Sequence, residues 1–462
     1  MTVQQTISPV DGSMFVERPL ASGVQIEETL NRALNAQREW RSVPIEQRAA
    51  ICRRFCDAFE SKKDAIAIDL SWQMGRPIRH SPSEVKGTLE RARYMIDIAS
   101  DALADLDVGP KADFSRFIRR EPLGVVFTVA AWNYPYLIAV NSVVPAIMAG
   151  NAVVLKHSAQ TPLCAERFAE AFREAGLPES VFQVLHLSHA DVERVAKDPR
   201  VGFVAFTGSV AGGHAIQRAI ADRFIGAGLE LGGCDPAYVR HDANLAHAIE
   251  NLVDGAFFNS GQSCCGIQRI YVHEKVYDDF VSGAVALTKQ YVLGNPTEQS
   301  TTLGPVVRAS AAEQVRKQIA ASINAGAQAA IDERDFPLSR PGTPYVAPQL
   351  LLGAGQGSAV MREEIFGPVA GVLKVRSDDD AVQLMNDSAF GLTAAIWTED
   401  ADAAVAIGDR VDTGTWFMNR CDYLDPALAW VGVKDSGRGC TLSRVGYEHL
   451  TRPKSFHLRI RT

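Results

Sequence analysis

The sequence contains no C-x-x-C pair despite its eight cysteines, Cys52, Cys56, Cys164, Cys234, Cys264, Cys265, Cys421 and Cys440. That spacing excludes a zinc ribbon and a thioredoxin-type motif, and the thiols read as reduced and mostly buried. His241 and His247 lie six apart and would face away from each other on a helix, so no metal site is expected. A basic excess is missing too. The net charge of -7 and the lack of a like-charged tail argue against a nucleic-acid partner. The N-terminal MTVQQTISPVDG lacks the basic start and apolar stretch of a signal peptide. One run might be mistaken for a membrane span, residues 136–155, but Asn141, Pro145, Gly150 and Asn151 interrupt it. It reads as a buried helix, a tight turn and a buried strand. These absences predict a soluble, cytoplasmic protein with no membrane partner.

What is present is a large α/β pattern. With 47% hydrophobic residues the chain can bury a sizeable core, and 462 residues allow several domains. Residues 25–105 are helix-rich, with apolar residues at three- and four-residue spacing. Strands and helices then alternate: GVVFTVAAW, NSVVPAIMAG, NAVVLKHS, then TPLCAERFAEAFREAG ended by Gly176. VFQVLHL is the next strand, and VGFVAFTGS runs into the helix VAGGHAIQRAIADRF. This βαβ rhythm predicts a parallel, doubly wound sheet with a ligand at its strand ends. A second α/β series begins near Leu231. FSRFIRREP and the terminal KSFHLRIRT alternate apolar and polar residues with period two, as half-exposed strands do. Uncovered edges of this kind invite a second subunit, so both segments predict an arm for self-association.

No G-x-G-x-x-G or phosphate-loop motif occurs. FTGSVAGG instead puts Gly208 and Ser209 between a strand and a helix, where free N–H groups and the helix dipole offer a pyrophosphate seat. In GLELGGCDP, Glu230 occupies an apolar, glycine-rich turn. A carboxylate there is either ion-paired or desolvated with a raised pKa, as a general base requires. AAWNYPY offers Asn133 as a turn residue or as an oxyanion donor. FFNSGQSCCGIQRI carries the adjacent thiols Cys264 and Cys265 in a segment poor in charge.

The combination is more specific than its parts. WNYP at 132–135, GNAVVLK at 150–156, FTGS at 206–209, LELGG at 229–233, NSGQSC at 259–264, EEIFGPV at 363–369 and KDSGRG at 434–439 follow one another in order. In these blocks the sequence resembles the aldehyde dehydrogenase superfamily over nearly its whole length. The resemblance implies an α/β fold with a Rossmann-like cofactor domain (1–103 and 123–232), an α/β catalytic domain (233–445) and a small β oligomerisation arm (104–122 and 446–462). It also implies a homodimer or homotetramer.

The same resemblance makes Cys264 the nucleophile, Glu230 the base and Asn133 an oxyanion donor beside the N–H of Cys264. It implies NAD(P)-dependent oxidation of an aldehyde to a carboxylic acid through a thiohemiacetal and a thioester. A coenzyme-A-acylating dehydrogenase and a catalytically silent binding protein are the alternatives on this fold. Lys156 is expected at the adenosine ribose, Gly208 and Ser209 at the pyrophosphate, Glu364 at the nicotinamide ribose, and Phe366 and Trp132 beside the ring. Tyr134, Leu137, Ile138, Asn141, Phe258, Ser263 and Tyr423 are expected along the substrate tunnel. That lining suits medium-chain or aromatic aldehydes, whereas Arg420 would suit a semialdehyde by holding its carboxylate. Cys265 reads as a small residue packed behind the site, with a redox thiol as the alternative.

Two departures from the family pattern bear on specificity. LAWVGVKDSG stands where many members have L-P-F-G-G-x-K-x-S-G, which alters the loop near the tunnel mouth together with NRCDYLDP at 419–426. Many NAD-preferring members carry K-P-x-E after the second sheet strand, and this chain has Lys156-His157-Ser158-Ala159. The missing glutamate leaves space for a 2′-phosphate, which Lys156 would attract and Ser158 would bond. His157 is expected to be a solvated surface residue able to add charge at lower pH. NADP is therefore the expected preference, with NAD also possible.

Overall fold

The computed structural model describes residues 2–461. Five strands of its first sheet run parallel, in the spatial order Gly226–Glu230, Val201–Thr207, Val125–Ala130, Ala152–His157 and Phe182–Val184. A sixth short strand, Gly437–Arg438, pairs antiparallel with Gly226–Glu230. This late segment, expected within the catalytic unit, thus extends the first sheet. Chain order reverses between Val125–Ala130 and Val201–Thr207, which opens the crevice where ligands of such sheets bind.

The central strands explain their own position. Val125–Ala130 and Ala152–His157 are buried along their whole lengths, as continuous apolar strands covered by helices on both faces must be. The run at 136–155 resolves as expected: a helix Pro135–Met148, Gly150 at φ +88°, then the strand. Among the described residues no helix is long and apolar enough to cross a membrane. The helix Pro162–Glu174 starts on Pro162 and closes with Gly176 at φ +75°, where Leu177 N–H donates to the carbonyl of Phe172. The helix-rich N-terminal region forms Gly23–Trp40, Ile45–Glu60, Lys63–Met74 and Pro82–Asp97. Its apolar faces pack on the first sheet, and Cys52 and Cys56 lie in that core. VFQVLHL yields only Phe182–Val184 as strand.

The second sheet holds Gln349–Leu352, Val369–Val375, Ile267–His273, Asp235–Val239, Thr393–Trp397 and Thr415–Met418 in parallel order, with Gln328–Ala329 antiparallel at one edge. Its helices include Leu245–Phe257, capped by Asn244, and Asp378–Asn386, capped by Ser377.

FSRFIRREP is the strand Phe114–Pro122, and it pairs antiparallel with Thr451–Arg459 over nine residue pairs. Phe117 and Phe456 stack across the pair with ring centroids 4.5 Å apart. Leu106–Asp107 covers the other side of Phe114–Pro122, so Thr451–Arg459 forms an open edge of this three-stranded sheet among the described residues.

Candidate active site

The expected site residues come from strand ends. Trp132 and Asn133 follow Val125–Ala130, Lys156 closes Ala152–His157, Gly208 and Ser209 follow Val201–Thr207, and Glu230 ends Gly226–Glu230. All lie at the carboxyl ends of the parallel strands, beside the crevice. Cys264 approaches from the other side, in the turn that enters the second-sheet strand Ile267–His273.

That turn is unusual backbone. Asn259, Ser260 and Gly261 have φ values of +53°, +58° and +68°. Left-handed conformation is costly for serine and must be held by its surroundings. A Cβ on Gly261 would run into the carbonyl of Gly367, so the position requires glycine for space as well as for φ. Gln262, 1% exposed, accepts from Val307 N–H at 2.7 Å and donates to the carbonyl of Asn259 at 3.0 Å. The Asn259 amide donates to the carbonyls of Asn133 and Gln262, at 3.1 and 3.2 Å. The Asn133 turn and the Cys264 turn are thereby locked together.

A buried ion pair, Arg76–Glu84, completes the lock, and nothing in the sequence reading found it. Arg76 donates to Asn259 Oδ1 at 3.1 Å and to the carbonyl of Asn133 at 2.6 Å. Its guanidinium also lies 4.6 Å from the Tyr134 ring centroid. Glu84 pairs with Arg76 through one oxygen. Through the other it accepts from the N–H groups of Tyr136 and Leu137, the first turn of helix Pro135–Met148. A fully buried pair is tolerable only when its remaining donors and acceptors are satisfied, as they are here. Arg76 and Glu84 lie far from every motif block, so only their tertiary partners reveal them.

A cavity of about 740 Å³ brings Cys264, Cys265, Glu230 and Thr207 together. Glu230 has no cation in ion-pair contact among the described residues. Its oxygens accept from Thr441 Oγ1 at 2.6 Å and Thr207 Oγ1 at 3.2 Å. Burial raises its carboxyl pKa above the ordinary value, against the pull of those hydroxyls and of Arg91. Cys264 is half-buried. Neither its N–H nor the side-chain amide of Asn133, 3% exposed, has a hydrogen-bond partner among the described residues. Unpaired donors of this kind can bind an oxyanion.

Cys265 is buried, and its thiol donates to Asp422 Oδ1 at 2.9 Å. The adjacent Cys264 thiol and burial push its pKa well up, so it remains a thiol. Asp422 was not anticipated. It also accepts from Ser263 Oγ at 3.1 Å, and burial pushes its carboxyl up to about 6.

Leu137, Ile138 and Asn141 line the cavity from helix Pro135–Met148 and Tyr134 from its N-cap position, and Phe258 and Tyr423 line it as well. Ser263 corrects the expectation: it lies behind the wall, 7% exposed, because its hydroxyl is drawn to Asp422. Arg420 corrects it too. It is exposed, does not line the cavity, and lays its guanidinium 3.8 Å from the Tyr423 ring centroid. Trp430, from the divergent LAWVGVKDSG loop, does line the cavity.

Lys156, expected at the adenosine ribose, is 7% exposed and has no hydrogen-bond partner among the described residues. Burial lowers its pKa to about 8. Such an ammonium fits a ligand that supplies oxygen acceptors. Ser209 caps helix Val210–Ala219 and accepts from Gly212 N–H at 3.2 Å. Among the described residues Glu364 accepts only from Gly233 N–H, at 3.1 Å, and burial pushes its carboxyl up to about 7. Its unused lone pairs suit the hydroxyls of a ribose. A Cβ on Gly232 would collide with that carboxylate. Phe366, at φ +56°, sets its ring against the edge of Trp132 with centroids 5.5 Å apart.

His157 overturns its expected role. It is 1% exposed, with Nε2 donating to the carbonyl of Pro135 at 3.1 Å and Nδ1 accepting from Ser158 N–H and Thr161 Oγ1 at 3.0 Å each. Burial lowers its pKa to about 4, so it stays neutral and structural. Ser158 is half-buried and accepts from Gln160 N–H at 3.2 Å, leaving its own hydroxyl proton to donate. The Ala159 methyl is exposed.

The family model described as "Aldehyde dehydrogenase family" matches residues 2–456. The succinate-semialdehyde dehydrogenase [NADP(+)] of Mycobacterium avium is 33% identical over 444 residues, covering 96% of this chain and 93% of that protein. Its namesake from Deinococcus radiodurans is 32% identical over 451 residues, covering 97% and 93%. Among solved structures, succinic semialdehyde dehydrogenase from Streptococcus pyogenes in complex with NADP+ superposes with a TM-score of 0.94 at 28% identity, covering 99% and 100%. An NAD-dependent aldehyde dehydrogenase from Sinorhizobium meliloti gives 0.95 at 30% identity, covering 99% and 92%. Agreement along the whole length, in both sequence and shape, makes this chain a member of the aldehyde dehydrogenase family.

Proposed function

We propose that this enzyme oxidises an aldehyde to a carboxylic acid with NADP, and that the aldehyde is a semialdehyde. The observation that carries the reading is Glu230: a desolvated carboxylate held by two hydroxyls in the same cavity as Cys264. Relatives named for succinate semialdehyde and NADP support the substrate class and the cofactor. The exposed Ala159 and Lys156, unpartnered among the described residues, also support NADP, for they leave room and charge for a 2′-phosphate. Lys156, Ser158, Ser209 and Glu364 would hold the dinucleotide, with Trp132 and Phe366 beside its ring.

The reaction follows from the groups present. The Cys264 thiolate adds to the aldehyde carbon, and the oxygen takes the negative charge between the N–H of Cys264 and the Asn133 amide. The bound dinucleotide supplies a hydride acceptor, which lets the carbonyl re-form as a thioester on Cys264. Glu230 then takes a proton from water as its oxygen attacks that carbon, the C–S bond breaks, and the thiolate leaves. A base poised for water favours hydrolysis over transfer to coenzyme A. The open edge of Thr451–Arg459 supports pairing with a second copy of the chain.

The test is to incubate the purified enzyme with NADP and a semialdehyde, with and without coenzyme A. Reduced cofactor and free acid in equal amounts, unaffected by coenzyme A, are expected. An acyl-CoA product would overturn the hydrolytic reading, and a monomeric mass by light scattering would remove self-association.

A further inference from the structure

Arg91 is a buried cation in the substrate cavity with no counter-ion in contact among the described residues. It belongs to helix Pro82–Asp97, one turn after Gly87, and both residues face the cavity. Arg91 is 9% exposed. Its Nη1 donates to the carbonyl of Leu137 at 3.1 Å and to Asn141 Oδ1 at 3.2 Å. Those neutral acceptors pin one end of the guanidinium against helix Pro135–Met148. Nε and Nη2 have no acceptor among the described residues, yet neither is sealed inside the protein.

A guanidinium has five N–H donors, and burying its charge beside neutral acceptors alone is unfavourable. Burial lowers the pKa of Arg91, and the neighbouring charge of Glu230 opposes that shift without touching it. The other acids of the cavity do not supply the missing contact. Glu90 accepts from Tyr423 Oη at 2.8 Å, and Asp422 is engaged by Cys265 and Ser263. Glu250 and Asp254 occupy exposed positions on helix Leu245–Phe257. The free edge of Arg91, Nε with Nη2, is the side that binds a carboxylate through two parallel hydrogen bonds. Gly87 lets this helix pack closely on helix Pro135–Met148, for a Cβ there would lie 2.9 Å from Leu137 Cδ2.

We propose that Arg91 is a specificity-determining residue that receives the carboxylate of a semialdehyde substrate through Nε and Nη2, while the aldehyde end lies at Cys264. This rests on the function proposed above and names the residue that selects the substrate.

The experiment compares succinate semialdehyde with butanal, an uncharged aldehyde of equal length, in the intact enzyme, Arg91→Met and Arg91→Lys. The kcat/KM preference for the semialdehyde should fall roughly 10²-fold in Arg91→Met, mainly through KM, and be partly restored in Arg91→Lys. In the unmodified enzyme succinate should compete with butanal, and butanol at the same concentration should not. Equal losses for both aldehydes would make Arg91 a support for Glu230 or for the fold and overturn the proposal. So would a wild type that oxidises both aldehydes equally well, or that ignores succinate. A wild type that oxidises neither would instead overturn the function proposed above.

Discussion

The two walls that meet at Cys264 are built by different means. One consists of the carboxyl ends of consecutive parallel strands, so residues such as Lys156, Ser209 and Glu230 are placed by backbone hydrogen bonding in one sheet. The other consists of cavity-lining side chains from separate elements: Arg91 on one helix, Asn141 on another, Asp422 and Trp430 on late loops. A strand end changes little when one side chain changes. A wall made of side chains is redrawn by each substitution, which is how one fold serves many aldehydes.

The sharpest test of the boundary between these walls is the thiol pair. Cys264→Ala should abolish oxidation while NADP binding by fluorescence titration persists. Cys265→Ala should retain most activity, because that thiol is held protonated against Asp422. Exchanged phenotypes would move the nucleophile by one residue.

Next in size are the groups acting on the bound substrate. Glu230→Gln should lower turnover by roughly 10²–10⁴-fold. Asn133→Ala should cost about 10²–10³-fold. Burial raises the Glu230 pKa, so the base form is lost from a higher pH than for an ordinary carboxylate, and wild-type activity should fall on the acid side accordingly. The same shift fixes a sign for stability. A folded pKa above the unfolded one favours folding at low pH, and that contribution disappears as pH rises through the folded value. At neutral pH Glu230→Gln should therefore melt no lower than the wild type. A much lower Tm would mean that the carboxylate is a structural element.

The smallest expected effect probes the wall of strand ends alone. Ala159→Glu should shift the kcat/KM ratio toward NAD by at least about tenfold, roughly 1.4 kcal/mol, through repulsion of a 2′-phosphate. An unchanged ratio would show that the phosphate is read elsewhere.

Much of this was legible in the chain. The period of the apolar residues marked the strand Val125–Ala130 and the helix after it, and the order of short blocks marked Cys264, Glu230 and Asn133. Each of these depends on local chemistry: an apolar run that must be covered, a glycine that lets backbone approach, a thiol next to a tight turn. His157 failed because nothing local says whether a histidine at a strand end faces water. The carbonyl of Pro135 and the hydroxyl of Thr161 decide that, and both reach it only in the folded sheet. Arg420 failed for a related reason, since a cation in the expected loop turned outward onto Tyr423.

By itself the sequence determined the layered α/β architecture, the family and the class of reaction, because periodicity and short motifs act over a few residues. Tertiary structure alone decided which charges are buried, which are paired, and which face the substrate. Arg76 reaches Glu84 and Asn259 across 8 and 183 residues, and Arg91 reaches Asn141 across 50. A charge takes its partner from whatever folding brings within about 4 Å, and chain separation carries no information about that distance.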